Sequence, residues 1–322
     1  MVITTDAELE RTWTDMRTID GWRAAGILGV VLAACSGTTA SVSLGQAAGD
    51  VATAVCNKLN SCAALVVNAD YGDVATCITR ETLAYKNTLS APSTGWSPAS
   101  LDACAQAVPG ASCVDLLGHN LPAACQTPAG HLAAGAACAD NAQCQSAYCN
   151  IASGSCGACS AAPTAGGACT GDAQCPQGEI CSSVGACVTP AAAGSTCSST
   201  QPCQATLVCK NGACTESDAA GASCTLITGT FGSCNDLANL FCNGSVCTSL
   251  TFAAAGQACG AMLTGLAVTG FAVCSASGQC VDSVCHAFAA DGAACSATGA
   301  KCMPPASCQN GVCTMPDSTS CQ

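Results

Sequence analysis

Apolar side chains in the first third of the chain recur every three to four residues, which is the period of an amphipathic helix. They are Val51, Val55 and Leu59 in a first segment, and Val74, Ile78 and Tyr85 in a second. Asp73 is placed to cap the second segment, and Ser97 followed by Pro98 suits the start of a third helix that ends near Gly110. The pattern predicts a small helical domain over residues 44–129.

A cysteine repeat replaces the helical period from residue 130 onwards. Self-similarity at a roughly constant period indicates a repeat architecture. Each unit opens with Gly-x-x-Cys, and the six opening cysteines are Cys138, Cys169, Cys197, Cys224, Cys259 and Cys295. Several units close on Asn-Gly between two cysteines, as in Cys209-Lys-Asn-Gly-Ala-Cys214, a spacing that favours a tight hairpin turn. We therefore expect six short β-hairpin units over residues 130–322, each with two disulfides.

The first unit has a recognisable cysteine spacing. It reads Cys138-x5-Cys144-x4-Cys149-x6-Cys156-x2-Cys159, with Asp140 ahead of Gln143 and with Tyr148 ahead of Cys149. This pattern resembles the Dickkopf N-terminal cysteine-rich pattern as it occurs in cysteine-rich lipoproteins of Gram-negative bacteria such as the myxobacteria. The similarity lies mainly within residues 130–215. It implies small disulfide modules and gives no reason to transfer the signalling role of the animal family.

The number of cysteines indicates that disulfides hold the fold together. The chain has 33 cysteines in 322 residues, and only 3 % of its residues are aromatic, so its core is poor in large side chains. A chain of this kind depends on cross-links more than on packing. The cysteines that we expect in disulfides are Cys56, Cys62, Cys77, Cys104, Cys113, Cys125, Cys138, Cys144, Cys149, Cys156, Cys169, Cys175, Cys181, Cys187, Cys197, Cys203, Cys209 and Cys214. The fold class is thus small and disulfide-rich.

The sequence predicts which cysteines form disulfides, but it does not determine which cysteine bonds to which. Six cysteines of the helical domain allow fifteen pairings. The pairing that we favour is Cys56 with Cys104, Cys62 with Cys77, and Cys113 with Cys125. Four cysteines per unit leave Cys159 and Cys321 over, one at each end of the array, and the partner of Cys285 is also open.

Cys35 is the odd cysteine, and its surroundings predict export. It follows Leu32-Ala33-Ala34 at the end of a short apolar run, an arrangement that resembles a bacterial lipoprotein signal, in which this cysteine is lipidated. The run has about eleven residues and is too short to span a bilayer. The alternatives are a buried helix or a simple N-terminal membrane anchor. Without Cys35 an even set of 32 cysteines remains, which fits disulfide formation in an oxidising compartment.

The start of translation follows from the same segment. Acidic residues precede the apolar run when the chain is read from Met1, whereas a start at Met16 leaves Arg17 and Arg23 as a positive leader. We predict a signal peptide over residues 1–34 with its true start at Met16, and a lipidated tether over residues 35–43. The predicted location is the cell envelope, at the outer membrane or the cell surface, with the N-terminal lipid in the membrane.

Charge and motifs exclude several classes of function. The net charge of −12 disfavours nucleic acid as a partner, since nucleic-acid binding relies on clustered Lys and Arg. We find no nucleophile elbow, phosphate-binding loop or His-Glu-x-x-His motif. The Cys156-Gly-Ala-Cys159 spacing lacks the βαβ context of a redox site, and three scattered histidines argue against a metal site. The sequence predicts that the protein is no enzyme and has neither cofactor nor metal.

Two enlarged units carry the candidate binding residues. They are Leu226, Ile227 and Phe231 in the fourth unit, and Met262, Leu263, Leu266, Val268 and Phe271 in the fifth. These apolar loops either form an exposed contact surface or pack on each other and on a neighbouring unit. The leading hypothesis is a surface-anchored lipoprotein whose rod-like array acts as a binding module or protease-resistant spacer, with an unknown protein or polysaccharide as ligand. The alternative is a secreted or surface protease inhibitor or regulator.

Overall fold

A computed structural model describes residues 42–151, 155–227, 231–264, 267–296 and 299–321. The predicted signal peptide and Cys35 lie outside these residues, and so does Leu266. The described helices are α1 (Leu44–Cys62), α2 (Ala64–Asp70), α3 (Val74–Ser90), α4 (Pro98–Ala107) and α5 (Cys113–Leu117). None of these helices is both long enough and apolar enough to cross a membrane.

The rest of the described chain consists of turns and loops that connect short strands, most of which pair antiparallel. The strands are β1 (Ala137–Cys138), β2 (Cys149–Asn150), β3 (Gly157–Cys159), β4 (Ile180–Cys181), β5 (Cys187–Val188), β6 (Leu207–Lys210), β7 (Ala213–Glu216), β8 (Leu240–Cys242), β9 (Cys247–Ser249), β10 (Thr251–Ala253), β11 (Gly260–Thr264), β12 (Ala267–Cys274), β13 (Gln279–Val281), β14 (Val284–His286), β15 (Ser307–Gln309) and β16 (Val312–Thr314). Sixteen disulfides cross-link the described residues, both within the strands and helices and in the loops between them. The predicted small disulfide-rich fold, helical first and then a series of hairpins, is confirmed.

The helix starts follow the capping residues that the sequence offers. The backbone N–H of Thr76 donates to Asp73 at 2.7 Å, and this hydrogen bond holds the pKa of the Asp73 carboxyl below its usual value. Ser97 and Ser100 form a capping box at the start of α4, where Pro98 takes the first turn. A 3-10 turn over Val108–Gly110 then ends the third predicted segment. The short helices α2 and α5 were not predicted.

The core of the helical domain lies along α1, which packs against α3 and α4. Its buried apolar side chains include Val51, Val55, Leu101, Val108 and Leu116. The favoured disulfide pairing is wrong, because the structure joins Cys56 to Cys77, Cys62 to Cys113, and Cys104 to Cys125. The reason is the helix arrangement: α1 meets α3 at Cys56 and α5 at Cys62, while α4 packs on the turn that contains Cys125.

The six units share one connectivity, in which the first cysteine bonds to the third and the second to the fourth. The pairs are Cys138–Cys149 and Cys144–Cys159, Cys169–Cys181 and Cys175–Cys187, Cys197–Cys209 and Cys203–Cys214, Cys224–Cys242 and Cys234–Cys247, Cys259–Cys280 and Cys274–Cys285, and Cys295–Cys308 and Cys302–Cys313. The third and fourth cysteines of each unit lie opposite each other on paired strands. The open partner of Cys285 is therefore Cys274.

The glycine of the Gly-x-x-Cys opener has a definite structural role in every unit. The openers are Gly135, Gly166, Gly194, Gly221, Gly256 and Gly292, all with φ between 74° and 82°. Each donates its backbone N–H to the carbonyl oxygen of the fourth cysteine of its unit, at 2.6 to 3.0 Å. Only glycine adopts this left-handed conformation at no steric cost. The opener thus fixes where each unit closes.

The same contact shows which cysteine closes the first unit. Gly135 donates to the carbonyl oxygen of Cys159, and Cys159 lies opposite Cys149 in the β2–β3 pair. Cys159 is therefore the fourth cysteine of unit 1 and not a leftover. The extra cysteine is Cys156, which bonds to Cys321 across 165 residues.

The Cys156–Cys321 disulfide closes the six units into a loop, which we call the belt, and the belt packs on the helical domain. Five units make contacts with this domain: Ala142 of unit 1 with Gly95, Gln177 of unit 2 with Leu121, Leu237 of unit 4 with the core around Leu59, Ser277 of unit 5 with Ala69, and Asp291 of unit 6 with Arg80. The expectation of a rod-like array is therefore wrong. The units are short, but the helical domain supplies the apolar surface that they lack.

Two side chains of α3 hold the end of the belt: Arg80 bonds to unit 6, and Asn87 Nδ2 donates to the Ser318 hydroxyl at 3.0 Å in the C-terminal segment. The Arg80 guanidinium forms two hydrogen bonds with the Asp291 carboxylate, at 2.6 and 2.9 Å. It also donates to the carbonyl oxygens of Met303 and Pro304. A planar guanidinium satisfies several fixed acceptors at once, which an ammonium group cannot do as well. One side chain of α3 thus holds several points of unit 6.

Candidate functional site

Three of the predicted binding residues belong to a core between the belt and the helical domain. Phe231 is buried, Val268 and Phe271 are partly buried, and all three pack with Leu65 of α2. The Phe231 and Phe271 rings meet edge to face with their centroids 5.4 Å apart, a favourable aromatic arrangement. These side chains join unit 4 and unit 5 to α2. The prediction that they form an exposed contact surface is wrong, and the alternative of packing on a neighbour holds for them.

Other predicted residues remain at the surface. Leu226 is 56 % exposed, Met262 is 42 % exposed and Leu263 is 51 % exposed, whereas Ile227 is half-buried. Met262 and Leu263 are consecutive residues of β11. The structure therefore reduces the candidate surface in the fifth unit from five residues to the side chains along one strand.

Strand β11 lies at the edge of a three-stranded sheet. The strand order is β10-β12-β11, and β12 pairs in parallel with β10 and antiparallel with β11. One side of β11 is thus bonded to β12, and its other side has no strand beside it among the described residues. Residues 261–264 are all exposed. We call this outer side of β11 the β11 edge.

The β11 edge carries neither the charged side chains nor the proline that often protect an edge strand. Proteins blunt such edges with Lys, Pro, or inward-pointing charges, because the free N–H and C=O groups otherwise pair with another chain. The segment from Cys259 to Cys280 contains no Lys, Arg, Asp, Glu or Pro. A register shift of the β-bulge type lies between Met262 and Leu263, and a bulge is the one structural feature of this strand that opposes pairing along its whole length. The edge is electrically neutral in a protein of net charge −12.

The base of this hairpin is rigid. Disulfides Cys259–Cys280 and Cys274–Cys285 fix the strands on both sides, and Thr269 Oγ1 donates to the Met262 carbonyl oxygen at 3.2 Å. An edge strand that is held in its extended form loses little conformational freedom when another strand pairs with it. The arrangement is suited to strand addition by an extended peptide.

The cysteine clusters of the units do not provide metal ligands in this oxidised form. Three sulfur atoms of each of several units lie within 4.8 Å of one another, as for Cys138, Cys144 and Cys159. Every one of these sulfur atoms is in a disulfide, whereas zinc binds the thiolate. The short distances follow from two disulfides that stack in each hairpin. Cys156 and Cys159 do not bond to each other, so their spacing forms no redox pair.

Comparison with known proteins gives one partial match. Residues 168–216 match the profile of a domain of unknown function (DUF7107). No curated protein matches the chain, and no solved structure matches it. The matched residues are units 2 and 3, from the residue before Cys169 to the end of β7. A pair of consecutive four-cysteine units is therefore the element that this chain shares with that domain.

Proposed function

We propose that this chain is an exported, lipid-anchored binding protein of the cell envelope, and that it captures an extended segment of a partner protein along the β11 edge. The observation that carries the proposal is an apolar, uncharged and exposed edge strand on a rigid support. Its role is binding and not catalysis. The belt serves as a protease-resistant holder, because its hairpins are cross-linked twice each and closed by a further disulfide.

A protein ligand suits the β11 edge better than a polysaccharide. Strand addition uses backbone N–H and C=O groups for affinity and side-chain contacts for selectivity. Met262 and Leu263 offer apolar contact to the side chains of such a strand. Polysaccharide sites, in contrast, need polar side chains that satisfy many hydroxyl groups. The neutral edge also places no charge opposite an incoming uncharged peptide.

Two lysines on the β11 edge should abolish partner capture. We expect Met262→Lys with Leu263→Lys to reduce specific labelling of the partner by about tenfold or more, because charge on an edge strand opposes strand addition. Both residues are about half exposed, at 42 % and 51 %, so the lysine ammonium groups can reach solvent and the fold should be kept. The measurement is proximity labelling on intact cells with the chain as the labelling source.

A matched control places the same charges elsewhere. Val184 and Val312 are also exposed apolar residues, at 66 % and 40 %, and lie in units 2 and 6. Val184→Lys with Val312→Lys should leave the labelled set unchanged. If the β11 variant labels the same proteins as the wild type, the contact surface lies elsewhere. Inhibition of an added protease by the wild-type chain would support the alternative, a protease inhibitor or regulator.

Lipid anchoring is tested at Cys35. We expect Cys35→Ser to move the protein from the membrane fraction to the soluble fraction, because the serine hydroxyl does not replace the thioether-linked lipid. Deletion of residues 1–15 should change neither amount nor location, since Met16 is the predicted start. Membrane fractionation followed by mass spectrometry of the N-terminus checks both. Retention of the Cys35→Ser protein in the membrane would contradict the anchor.

A further inference from the structure

The last residues of the chain lie across the helical domain. Residues 315–321 follow β16 and belong to no helix or strand, and we call them the C-terminal strap. Three hydrogen bonds at Ser318 hold the strap in place. The Ser318 hydroxyl accepts from Asn87 Nδ2 at 3.0 Å, and its backbone N–H donates to Asn87 Oδ1 at 3.2 Å. Its carbonyl oxygen accepts from Gln143 Nε2 at 3.1 Å. Side chains of α3 and unit 1 thus position a segment that has no secondary structure of its own.

The strap forms part of the wall of a cavity of about 100 Å³. The helical domain contributes Val55 of α1, Leu101 of α4 and Trp96 to the lining, whereas Pro305 of unit 6 and Pro316 of the strap line it from the belt. If the strap leaves its place, Pro316 no longer closes this cavity, and solvent gains access to the apolar side chains below it.

The disulfide at the end of the strap has one exposed cysteine. Among the described cysteines only Cys156, Cys209 and Cys308 are exposed, and the others are buried or half-buried. Cys321, the partner of Cys156, is buried. A thiolate opens a disulfide by direct attack on one of its sulfur atoms, so the rate depends on access to that sulfur. Exposure therefore limits rapid exchange to three of the sixteen bridges.

Two of these three bridges are supported by a second disulfide in the same hairpin. Cys209 lies opposite Cys214 on paired strands, and Cys308 lies opposite Cys313 in the same way. The second bridge of each unit ends at Cys214 or Cys313, so the hairpin keeps the separated sulfur atoms close together and the opened bridge closes again. The strap has no such support, because Cys321 is its only cysteine.

We propose that Cys156 is a thiol-exchange site, at which an external dithiol opens the Cys156–Cys321 bridge and releases the C-terminal strap. One thiolate of the dithiol attacks Sγ of Cys156, the S–S bond breaks, and its electron pair leaves on Sγ of Cys321, which takes up a proton. The second thiolate of the reagent then attacks the reagent's own sulfur in this mixed disulfide. The reagent leaves as a disulfide, and Cys156 takes up a proton. Two electrons pass from the dithiol to the bridge.

Release of the strap is reversible, since reoxidation of the two thiols closes the belt again. The three hydrogen bonds at Ser318 return the strap to its place before the bridge forms. The thiol-exchange site involves neither the β11 edge nor the lipid. It therefore goes beyond the proposed function, and partner capture at the β11 edge can fail without affecting it.

The order in which the bridges open tests the site. The oxidised full chain is treated with a low concentration of dithiothreitol, blocked with N-ethylmaleimide at successive times, and mapped by mass spectrometry of its peptides. We expect Cys156 and Cys321 to become labelled together, about tenfold faster than any other pair. Cys197–Cys209 and Cys295–Cys308 are the internal controls, because each of them also has one exposed cysteine. Labelling of either control pair at the same rate or faster would overturn the proposal.

The sulfur that is attacked is identified with a monothiol, which stops at the mixed disulfide. With glutathione in place of dithiothreitol, we expect the adduct on Cys156 and a free thiol at Cys321, because Cys321 is buried. An adduct on Cys321 with Cys156 free would contradict the assignment of Cys156.

Movement of the strap is measured at Trp96. In the full chain with Trp13→Phe and Trp22→Phe, Trp96 is the only tryptophan, so its fluorescence reports on the cavity. At the stage at which only Cys156 and Cys321 are labelled, we expect quenching of Trp96 by acrylamide to rise about twofold, because local opening exposes the cavity. Unchanged quenching in this partly reduced protein would show that the strap stays in place, and would overturn its release.

A matched variant checks that the rise in quenching comes from this bridge. Cys156→Ser with Cys321→Ser, made in the same tryptophan background, should show the raised quenching without reductant and no early rise when dithiothreitol is added. Thermal unfolding confirms that this variant is folded. An early rise of the same size in the variant would show that another bridge controls access to Trp96, and would overturn the proposal.

Discussion

Replacing Cys156 and Cys321 by serine should lower the free energy of unfolding by about 4 kcal/mol, which is the largest effect that we expect from any single disulfide of this chain. The bridge spans 165 residues, and the entropy of closing a loop grows with the logarithm of its length. The internal bridges of units 2 to 6 shorten the effective loop in the unfolded chain, but this logarithm makes the reduction small. Guanidinium unfolding of the oxidised protein gives the value.

Hydrogen exchange shows which part of the protein is destabilised, and so distinguishes loss of belt closure from a general loss of stability. Loss of Cys156–Cys321 should release the segment that carries Ser318, and should raise hydrogen exchange in α3 beneath it. The matched variant removes Cys203–Cys214, which spans 11 residues within one hairpin. We expect a smaller, local loss in unit 3 and an unchanged exchange rate in α3. Equal exchange in α3 for the wild type and the Cys156→Ser, Cys321→Ser protein would contradict this account.

The sequence predicts the parts of this fold that depend on local interactions. Asp73 and Ser97 mark helix starts because a cap acts on backbone groups within three residues of it. The turn at Asn211 and Gly212 follows from the same logic, since both residues adopt positive φ, as a two-residue hairpin loop requires. Gly-x-x-Cys likewise marks each unit through one short-range backbone contact.

Disulfide connectivity between helices depends on how the helices pack against one another, which is not a local property of the sequence. Which cysteine faces Cys56 depends on how α3 crosses α1, and the spacing of cysteines along the chain does not contain that angle. The sequence also assigns the wrong fourth cysteine to the first unit, Cys156 in place of Cys159, for a similar reason. Two cysteines three positions apart both fit the repeat, and the pairing with Gly135 decides between them. One extra cysteine at each end of the array, Cys156 and Cys321, was nevertheless a signal that the two ends meet.

In the candidate site, too, the sequence indicates the type of residue, whereas the arrangement of the elements in space decides which residues are exposed. Large apolar residues in modules too small to bury them indicate a partner surface, and for Phe231 and Phe271 that partner is Leu65 in the same chain. Only the strand order of the sheet, with β11 at its edge, identifies Met262 and Leu263 as the residues that remain exposed to solvent.

A single amide group joins unit 1, the helical domain and the C-terminal segment. Gln143 is 1 % exposed and satisfies all four of its side-chain hydrogen bonds. Its Nε2 donates to the carbonyl oxygens of Pro92 and Ser318, at 3.0 and 3.1 Å. Its Oε1 accepts from the backbone N–H groups of Ala139 and Asp140. A buried hydrogen-bond network stabilises the fold when every member has its partners, and it destabilises the fold when one member is left without them.

Gln143→Glu should therefore destabilise the protein by about 3 kcal/mol or more at pH 7, although the two side chains have the same shape. The carboxylate cannot donate to the carbonyl oxygens of Pro92 and Ser318. Burial raises the pKa of such a carboxyl, so the folded variant binds more protons than the unfolded chain, and its stability falls as pH rises above about 4.3.

The matched control is Gln174→Glu in unit 2, where Gln174 also precedes the second cysteine but accepts only from Thr170 and is not buried. Unfolding of both variants is measured between pH 4 and pH 8. We expect the control to lose less than about 1 kcal/mol with no such pH dependence, because its amide donates no hydrogen bond to the helical domain. Equal losses in the two variants would show that Gln143 acts only within its own hairpin.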